Sequence, residues 1–314
     1  MGDLSASADA EDDYILIKSD GYPTYNFAHI VDDHLMEISH VIRSQEFLAS
    51  VPRYLNLYEA LEIERPLLAT VPFVLAPDGK RKLSKRDGAK DVLEYIDEGF
   101  LPEALINFMA SLGWNDGTEQ EIFSTNELID KYQLSDIQRS PAKFDERRLV
   151  WMDGAHIREM PLAELTDLSA NYWPSSAADY PKGYKKKILM IIKDRLKYLS
   201  EIPSLTSFFF EDKAPSLDLV KIDKKLKDLP DDQLRAWLEQ ARETLNQSDF
   251  TKDDITKRLN DLLTQTDQKP AVLFSLIRIA TTQSPASPGL FETIEVLGKD
   301  KVLSRLDQQI ALLA

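Results

Sequence analysis

Lys80 to Arg86 read KRKLSKR, five cations in seven positions of a chain whose formal charge is −15. The run follows Pro77-Asp78-Gly79, a turn in which proline presets φ and glycine accepts positive φ. It leads into Asp87-Gly88. A flexible loop with several lysines around a serine suits one task well: it folds over a triphosphate and neutralises charge as the phosphates separate. A solvated surface loop has the same look, because short basic runs arise often by chance. A second cluster comprises Lys182, Lys185, Lys186, Lys187, Lys193, Arg195 and Lys197 against the single acid Asp194. It reads as either a solvated helix face or a contact for RNA phosphates, and its sign against the overall charge favours RNA. Phe208-Phe209-Phe210 follow; they suit a stacking platform, but three adjacent aromatics usually anchor a core.

Other chemistries drop out. With no cysteine there is no disulfide and no thiolate-based zinc site. His29, His34, His40 and His156 lack metal-ligand spacing, so no metal site and no zinc are expected. Apolar runs stay well short of the roughly 18–20 residues that span a membrane. Met1 to Asp13 holds five acids, no Lys or Arg and no apolar core, which is no signal peptide. A cytoplasmic protein is the default. The 314 residues, 43% hydrophobic and 29% charged, fit two or three globular domains.

The elements that must position these residues follow from pattern. Residues 1–13 are small and acidic and cannot bury enough apolar surface to fold. Tyr14–Ile17 reads as a strand ending in Ser19-Asp20-Gly21, and His40–Arg43 as a second strand. Ser50–Leu61 has helical spacing, with Tyr54, Leu57, Tyr58 and Leu61 on one face. Ala69–Ala76 is a third apolar run, and this alternation suggests α/β organisation. After residue 90 helices are expected over Val92–Ile96, Pro102–Leu112, Asn126–Tyr132 and Ala142–Met152. From 161 the chain reads almost entirely as helix. One helix covers Tyr184–Leu199, with Ile188, Ile191, Ile192, Arg195 and Leu199 near one stripe. Later ones cover 231–246, 252–265, 270–281, 288–297 and 299–313.

Lys82-Leu83-Ser84-Lys85-Arg86 resembles the Lys-Met-Ser-Lys-Ser loop of class I aminoacyl-tRNA synthetases, in the form used by glutamyl enzymes. Tyr22-Pro23-Thr24-Tyr25-Asn26-Phe27-Ala28 and Val31-Asp32-Asp33-His34-Leu35-Met36 look like that family's strand-and-helix signature. Val41-Ile42-Arg43-Ser44-Gln45-Glu46-Phe47-Leu48 is similar to its Val-Ile-Arg-Gly-Glu segment. Gly99-Phe100-Leu101-Pro102-Glu103, Ser140-Pro141-Ala142-Lys143-Phe144-Asp145 and Leu149-Val150-Trp151-Met152-Asp153-Gly154 match further on. Ser287-Pro288-Gly289-Leu290-Phe291-Glu292 and Leu297-Gly298-Lys299 resemble the family's last helices. The matches run in order from residue 14 to about 306.

The resemblance, to the bacterial-type glutamyl-tRNA synthetases, implies a mixed fold. Residues 14–76 would form a partial Rossmann-like catalytic domain, and 77–160 a mostly helical stem-contact domain bearing the loop. Residues 161–215 and 216–314 would be two helical anticodon-binding domains. It implies that Lys82 and Lys85 stabilise the triphosphate and the leaving pyrophosphate while Ser84 shapes the loop. Arg43 would contact the amino acid, since a guanidinium fork suits a carboxylate and an Arg at the carboxyl edge of a parallel sheet faces the ligand crevice. Tyr25 would supply a hydroxyl to the glutamate pocket, and Glu46 and Phe47 would line the sites for substrate and adenosine; core packing is the alternative for Tyr25 and Phe47. His29, where the family usually has Asn or Val, would sit in the pocket, and Ser44-Gln45 replaces the usual Gly and acid. Asp32 and Asp33 suit a cap on the following helix better than a contact to tRNA. Lys187, Lys193 and Arg195 would meet tRNA, with Arg195 the candidate reader of anticodon bases. ATP with Mg²⁺ across its phosphates, L-glutamate and tRNA-Glu are the implied partners, with tRNA-Gln left open and the full-length protein expected to be a monomer. Glutaminyl enzymes share the loop but end in β-barrels, against the helical pattern after 161. The family's His-Ile-Gly-His motif has no counterpart here. The chain is therefore expected to be a truncated segment, a separate subunit or a degenerate relative, inactive alone; a non-catalytic tRNA-binding or regulatory protein is the alternative.

Overall fold

The computed structural model describes residues 13–84, 86, 90–284 and 287–314. The chain divides into two compact units, one holding the described residues up to Glu94 together with Pro102–Met152, the other Tyr95–Leu101 together with Asp153–Ala314.

In the first unit, helix α1 (Tyr25–Leu35) precedes strand β1 (His40–Ser44). A 3-10 segment, Gln45–Ser50, and helix α2 (Val51–Ala60) then lead to strand β2 (Leu67–Val71). β1 and β2 run parallel with Arg43 opposite Thr70, so β1–α2–β2 is a crossover unit. α2 forms as its spacing predicts: Tyr54, Leu57 and Tyr58 are buried with Ile30 of α1, and Tyr14, Leu16 and Ile63 pack against them. Strand β3 (Val74–Leu75) pairs in parallel with β4 (Ala142–Lys143). Between them lie α3 (Val92–Asp97), which runs on into the second unit, α4 (Pro102–Ser111) and α5 (Thr125–Lys131). α5 opens with a reciprocal capping box between Ser124 and Glu127.

Three expectations for the first unit need correction. Tyr14–Ile17 is no strand. Its ladder is a single bridge from Ile17 to Pro23, because the chain reverses at Gly21, φ +83°, and the run meets no longer partner. Ala142–Met152 is not helical throughout. Ala142 and Lys143 are drawn into pairing with β3, and the helix, α6 (Glu146–Glu159), starts only after Asp145, whose carboxylate accepts the Arg147 amide at 3.0 Å. Asp32 and Asp33 lie in the last turns of α1, and the N-caps of the next two helical segments are Ser44 and Ser50.

Every described element of the second unit is helical: after α6 come α7 (Leu162–Leu168), α8 (Lys182–Ile192), α9 (Ile202–Phe210), α10 (Leu217–Ile222), α11 (Asp231–Asn246), α12 (Lys252–Thr266), α13 (Pro270–Thr282), α14 (Leu290–Leu297) and α15 (Lys299–Leu312). The five last helices fall within two residues of their expected bounds. The helix expected over Tyr184–Leu199 stops at Ile192. Lys193–Arg195 tightens into a 3-10 turn, and the amide of Leu199 turns instead to the carbonyl of Gly99 at 3.0 Å. Gly99 has φ +80°, and a Cβ there would lie 2.8 Å from that of Leu199, so this joint needs glycine. Phe208, Phe209 and Phe210 are all buried, with Trp173, Tyr180 and Tyr184 around the last, which is the core-anchor role.

Candidate functional site

Alternation along β1 sends Val41 and Arg43 to one face and Ile42, 51% exposed, to the other. The Arg43 face closes a recess with His29 and Asp33 of α1, Ser44 at the strand's end, Phe47 after it, Tyr54 and Tyr58 of α2, and Leu68 and Thr70 of β2. The Arg43 guanidinium carbon lies 5.7, 5.3 and 5.5 Å from the ring centres of Tyr25, Phe47 and Tyr54. Three ring faces thus hold one cation, a favourable arrangement when partly desolvated. Nη1 of Arg43 is buried without a hydrogen-bond partner, as are both ring nitrogens of His29, Oδ2 of Asp33 and Oγ of Ser44. Buried polar atoms left unpaired in this number call for a partner, either ordered water or a bound group.

The His29 ring sits 5.2 Å from Tyr25 and edge-on to Tyr54 at 4.5 Å. Burial, then the charge of Arg43, hold its imidazole below the ordinary value. Asp33 opposes this from 3.5 Å, beyond the roughly 3.2 Å limit of a good hydrogen bond. Burial, followed by Asp33, pushes the Tyr58 hydroxyl up. Tyr25 is 57% exposed at the rim, which excludes core packing for it; Phe47 is half-buried.

The basic loop grows from β3. Ala76 N donates to Arg81 O at 2.8 Å and Leu83 N to Val74 O at 2.9 Å, so 74–83 forms a tight hairpin around Gly79, φ +69°. Asp78 fixes its tip by accepting from Lys80 N and Arg81 Nε. Those bonds, the backbone one first, hold its carboxyl below the usual range. Lys82 leaves the hairpin with its ammonium 2.6 Å from Glu46 Oε2 and 5.4 Å from the Phe73 ring centre. The structure therefore brings His29, Arg43 and Phe47 to one recess, sets the exposed Tyr25 against all three, and pairs Glu46 with Lys82. Neither Tyr25 nor Glu46 is among the residues lining the recess. Ser84 is exposed, and Lys85 lies outside the described residues.

In the helical unit, Arg195 and Lys187 line a groove with Tyr184, Met190, Phe250, Lys252 and Glu292. Arg195 Nη1 donates to Ser287 O at 2.6 Å, and Arg278 Nη1 donates to the same oxygen at 2.9 Å and to Ser287 Oγ at 2.8 Å. Two guanidinium groups thus converge on one carbonyl, and neither has a carboxylate within ion-pair reach among the described residues. Burial and then Arg195 push the Arg278 guanidinium down. Lys193 turns elsewhere: its ammonium donates to Met160 O at 2.5 Å, just past the end of α6. Lys182 pairs with Asp167, and Lys185 stacks over Trp173 at 5.8 Å. Arg278 escaped the sequence reading although its signal was there, as the lone charge in the otherwise uncharged α13. No helix among the described residues is long and apolar enough to cross a membrane.

Two family models match the chain. Residues 1–151 match the family described as tRNA synthetases class I (E and Q), catalytic domain, and residues 164–310 match an anticodon binding domain. The two matches together span most of the chain, and glutamate–tRNA ligases are among its curated relatives. The ligase of Clostridium kluyveri is 38% identical over 98% of this chain, and that of Moorella thermoacetica 36% identical over 98%. The chain spans 63% of each, just under two thirds of their length. A crystal structure of a glutamate tRNA ligase from Elizabethkingia meningosepticum, in complex with its amino acid, matches with a TM-score of 0.84 and 28% identity, over 99% of this chain and 64% of that one.

Proposed function

We propose that this chain is the part of a glutamate–tRNA ligase that holds the amino acid and the tRNA. Such an enzyme joins glutamate to tRNA through glutamyl-adenylate, using ATP that arrives with Mg²⁺ across its phosphates. The observation that carries the reading is the ring-caged Arg43 at the carboxyl end of a parallel strand, with an unpaired buried Nη1, and Lys82 brought alongside through Glu46. Arg43 takes a carboxylate of glutamate, Tyr25 and Phe47 wall the pocket, and His29 lies at its floor. Lys82 and Lys85 neutralise the pyrophosphate as it leaves, and Ser84 shapes their loop. Glu46 acts on the loop lysine. In the second unit, Lys187 and Arg195, joined by Arg278, receive unstacked anticodon bases and phosphates of tRNA-Glu. Lys193 supports the end of α6 instead. The assignment of 14–76 to catalysis, 77–160 to stem contacts, and 161–215 and 216–314 to the anticodon goes with this reading.

The 314 residues contain no His-x-Gly-His, the motif by which the family grips ATP. With that wall missing, ATP has no fixed pose for in-line attack, and orientation supplies much of the acceleration in such transfers. The chain by itself is therefore proposed to be inactive in adenylate formation. That same absence favours the second reading, a non-catalytic tRNA-binding protein.

Binding of transcribed tRNA-Glu at stepped salt tests the tRNA half. Affinity should fall steeply with salt. Arg195→Ala and Arg278→Ala should each reduce discrimination between anticodon variants by about 1–3 kcal/mol, as for loss of a base contact. Uniform weakening across all tRNAs would make both residues phosphate contacts, and no binding at low salt removes the assignment.

A further inference from the structure

We infer that His29 is a specificity-determining residue of the Arg43 recess, a proton-linked partner that favours a guest with a side-chain carboxylate over the corresponding amide. The inference rests on the reading of the recess as an amino-acid site and adds to it a role for a residue whose ring nitrogens make no good hydrogen bond.

The geometry comes first. His29 lies on α1 one turn before Asp33, and its side chain is 10% exposed. Neither ring nitrogen has a hydrogen-bond partner, and both Arg43 Nη1 and Ser44 Oγ, which line the same recess, are unpartnered too. A buried imidazole with both nitrogens idle is costly unless something completes it. Nδ1 faces Asp33 Oδ2 at 3.5 Å, a separation that a small shift turns into a charge-assisted bond once the ring carries a second proton.

The groups that face His29 are few. α1 contributes Asp33 and Tyr25, β1 contributes Arg43, and α2 contributes Tyr54 and Tyr58. The nearby carboxylate of Glu46 is engaged by Lys82. The balance at His29 is therefore set by Asp33 on one side against burial and Arg43 on the other, and in the empty recess the second pair prevails.

A carboxylate docked on Arg43 Nη1 changes that balance. Its negative charge offsets the guanidinium field that disfavours the imidazolium, so the ring takes up a proton as the guest binds. The His29–Asp33 pair then closes behind it. An amide guest carries no charge and draws no proton. The sign follows from linkage: a group whose affinity for protons is higher in the complex makes binding tighter as pH falls. The gain appears as pH drops through the occupied-state value of His29 and levels off once the empty recess is protonated as well, below about 6.5.

The test uses the whole 314-residue chain, with L-glutamate and L-glutamine as probes between pH 5.5 and 8.5. The preference for glutamate over glutamine should rise about tenfold as pH falls across this range, the change expected when the imidazole titrates one pH unit higher with the guest in place. In the wild-type chain the His29 ring signals, followed by NMR, should titrate below about 6.5 without ligand and higher with glutamate, but not with glutamine. His29→Asn should bind glutamate with a preference independent of pH. A pH-independent preference in the wild type, or an unmoved His29 titration when glutamate is bound, overturns the inference while leaving the recess an amino-acid site. A glutamine effect equal to that of glutamate assigns the docked group to the α-carboxylate and overturns the specificity role. Absence of glutamate binding at every pH, with Arg43→Ala indistinguishable from wild type, overturns the amino-acid reading itself.

Discussion

Residues 13–76 and helices α11–α15 solve the problem of burial differently. In the first stretch Ile30 is completely shielded, whereas Ile15, Ile17, Ile42 and Leu67 are 68, 57, 51 and 65% exposed. In the second, Leu238, Leu245, Ile255, Leu259, Leu276, Ile277, Ile294 and Leu306 are all at 0%. The helical stretch closes its own core; the strand-bearing stretch leaves apolar surface and the edges of a two-stranded sheet open. The chemistry proposed for Arg43 and His29 thus stands on the less self-sufficient part of the molecule. The groove proposed for tRNA stands on the more self-sufficient part. Sites that bind and react often sit in regions of lower local stability.

That contrast can be broken by paired truncations. Leu238→Ala should cost the protein about 2–5 kcal/mol, the range for a large buried aliphatic residue cut to alanine. Ile42→Ala, half exposed, should cost under about 1 kcal/mol. Urea titrations followed separately by the helical and aromatic signals check this, and equal losses at the two positions would dissolve the distinction. Native-state hydrogen exchange sharpens it next. Amides of β1 and β2 should open with free energies at least about 2 kcal/mol below those of α11 and α13, as expected for a subunit that unfolds before the rest. Gly99→Ala should lose about 1–3 kcal/mol, because alanine at φ +80° is strained and its Cβ meets Leu199 and Tyr172. A thermal melt unchanged by that substitution contradicts the close approach.

The smallest effect concerns pH. Asp116 accepts from Lys131 and Thr118, and those bonds hold its carboxyl down at about 2. A group depressed on folding stabilises the protein above its unfolded value and loses that contribution as pH falls through its folded one. Wild type and Asp116→Asn should therefore differ in acid stability at pH 5 and converge as pH approaches about 2. A difference that grows on acidification reverses the sign and excludes this account of the carboxylate.

The legibility of the sequence follows the same divide. α11 to α15 were readable because apolar residues recur at helical spacing and the ends carry their own signals: Thr251 caps α12, Pro270 opens α13 and Gly298 separates α14 from α15. β4 was not, because two residues become a strand only through pairing with Val74 and Leu75, far away in sequence. The end of α8 was misjudged because the apolar stripe runs on past Ile192, while the chain tightens into a 3-10 turn at Lys193–Arg195 and becomes extended at Leu196. At the site, Tyr25, His29, Arg43 and Phe47 were named from short motifs and lie together, since the motifs sit on α1, β1 and the 3-10 segment after it, whose side chains meet. The pairing of Glu46 with Lys82, 36 positions apart, left no local trace. Arg278 did leave one, a single charge in an apolar helix, but its meaning depends on Arg195 meeting it at Ser287.

The account stands or falls most directly on ATP–pyrophosphate exchange by the purified chain, supplied with glutamate, Mg²⁺ and tRNA-Glu. The Arg43 recess and the Lys82 hairpin are proposed to be one wall of a site whose other wall needs the His-x-Gly-His sequence that these 314 residues do not contain. Exchange should therefore sit at background for the chain alone and rise above it when a second chain bearing the catalytic segment of a glutamate–tRNA ligase relative is added. Robust exchange by the chain alone would contradict the account, because it would require an ATP site other than the one assigned here.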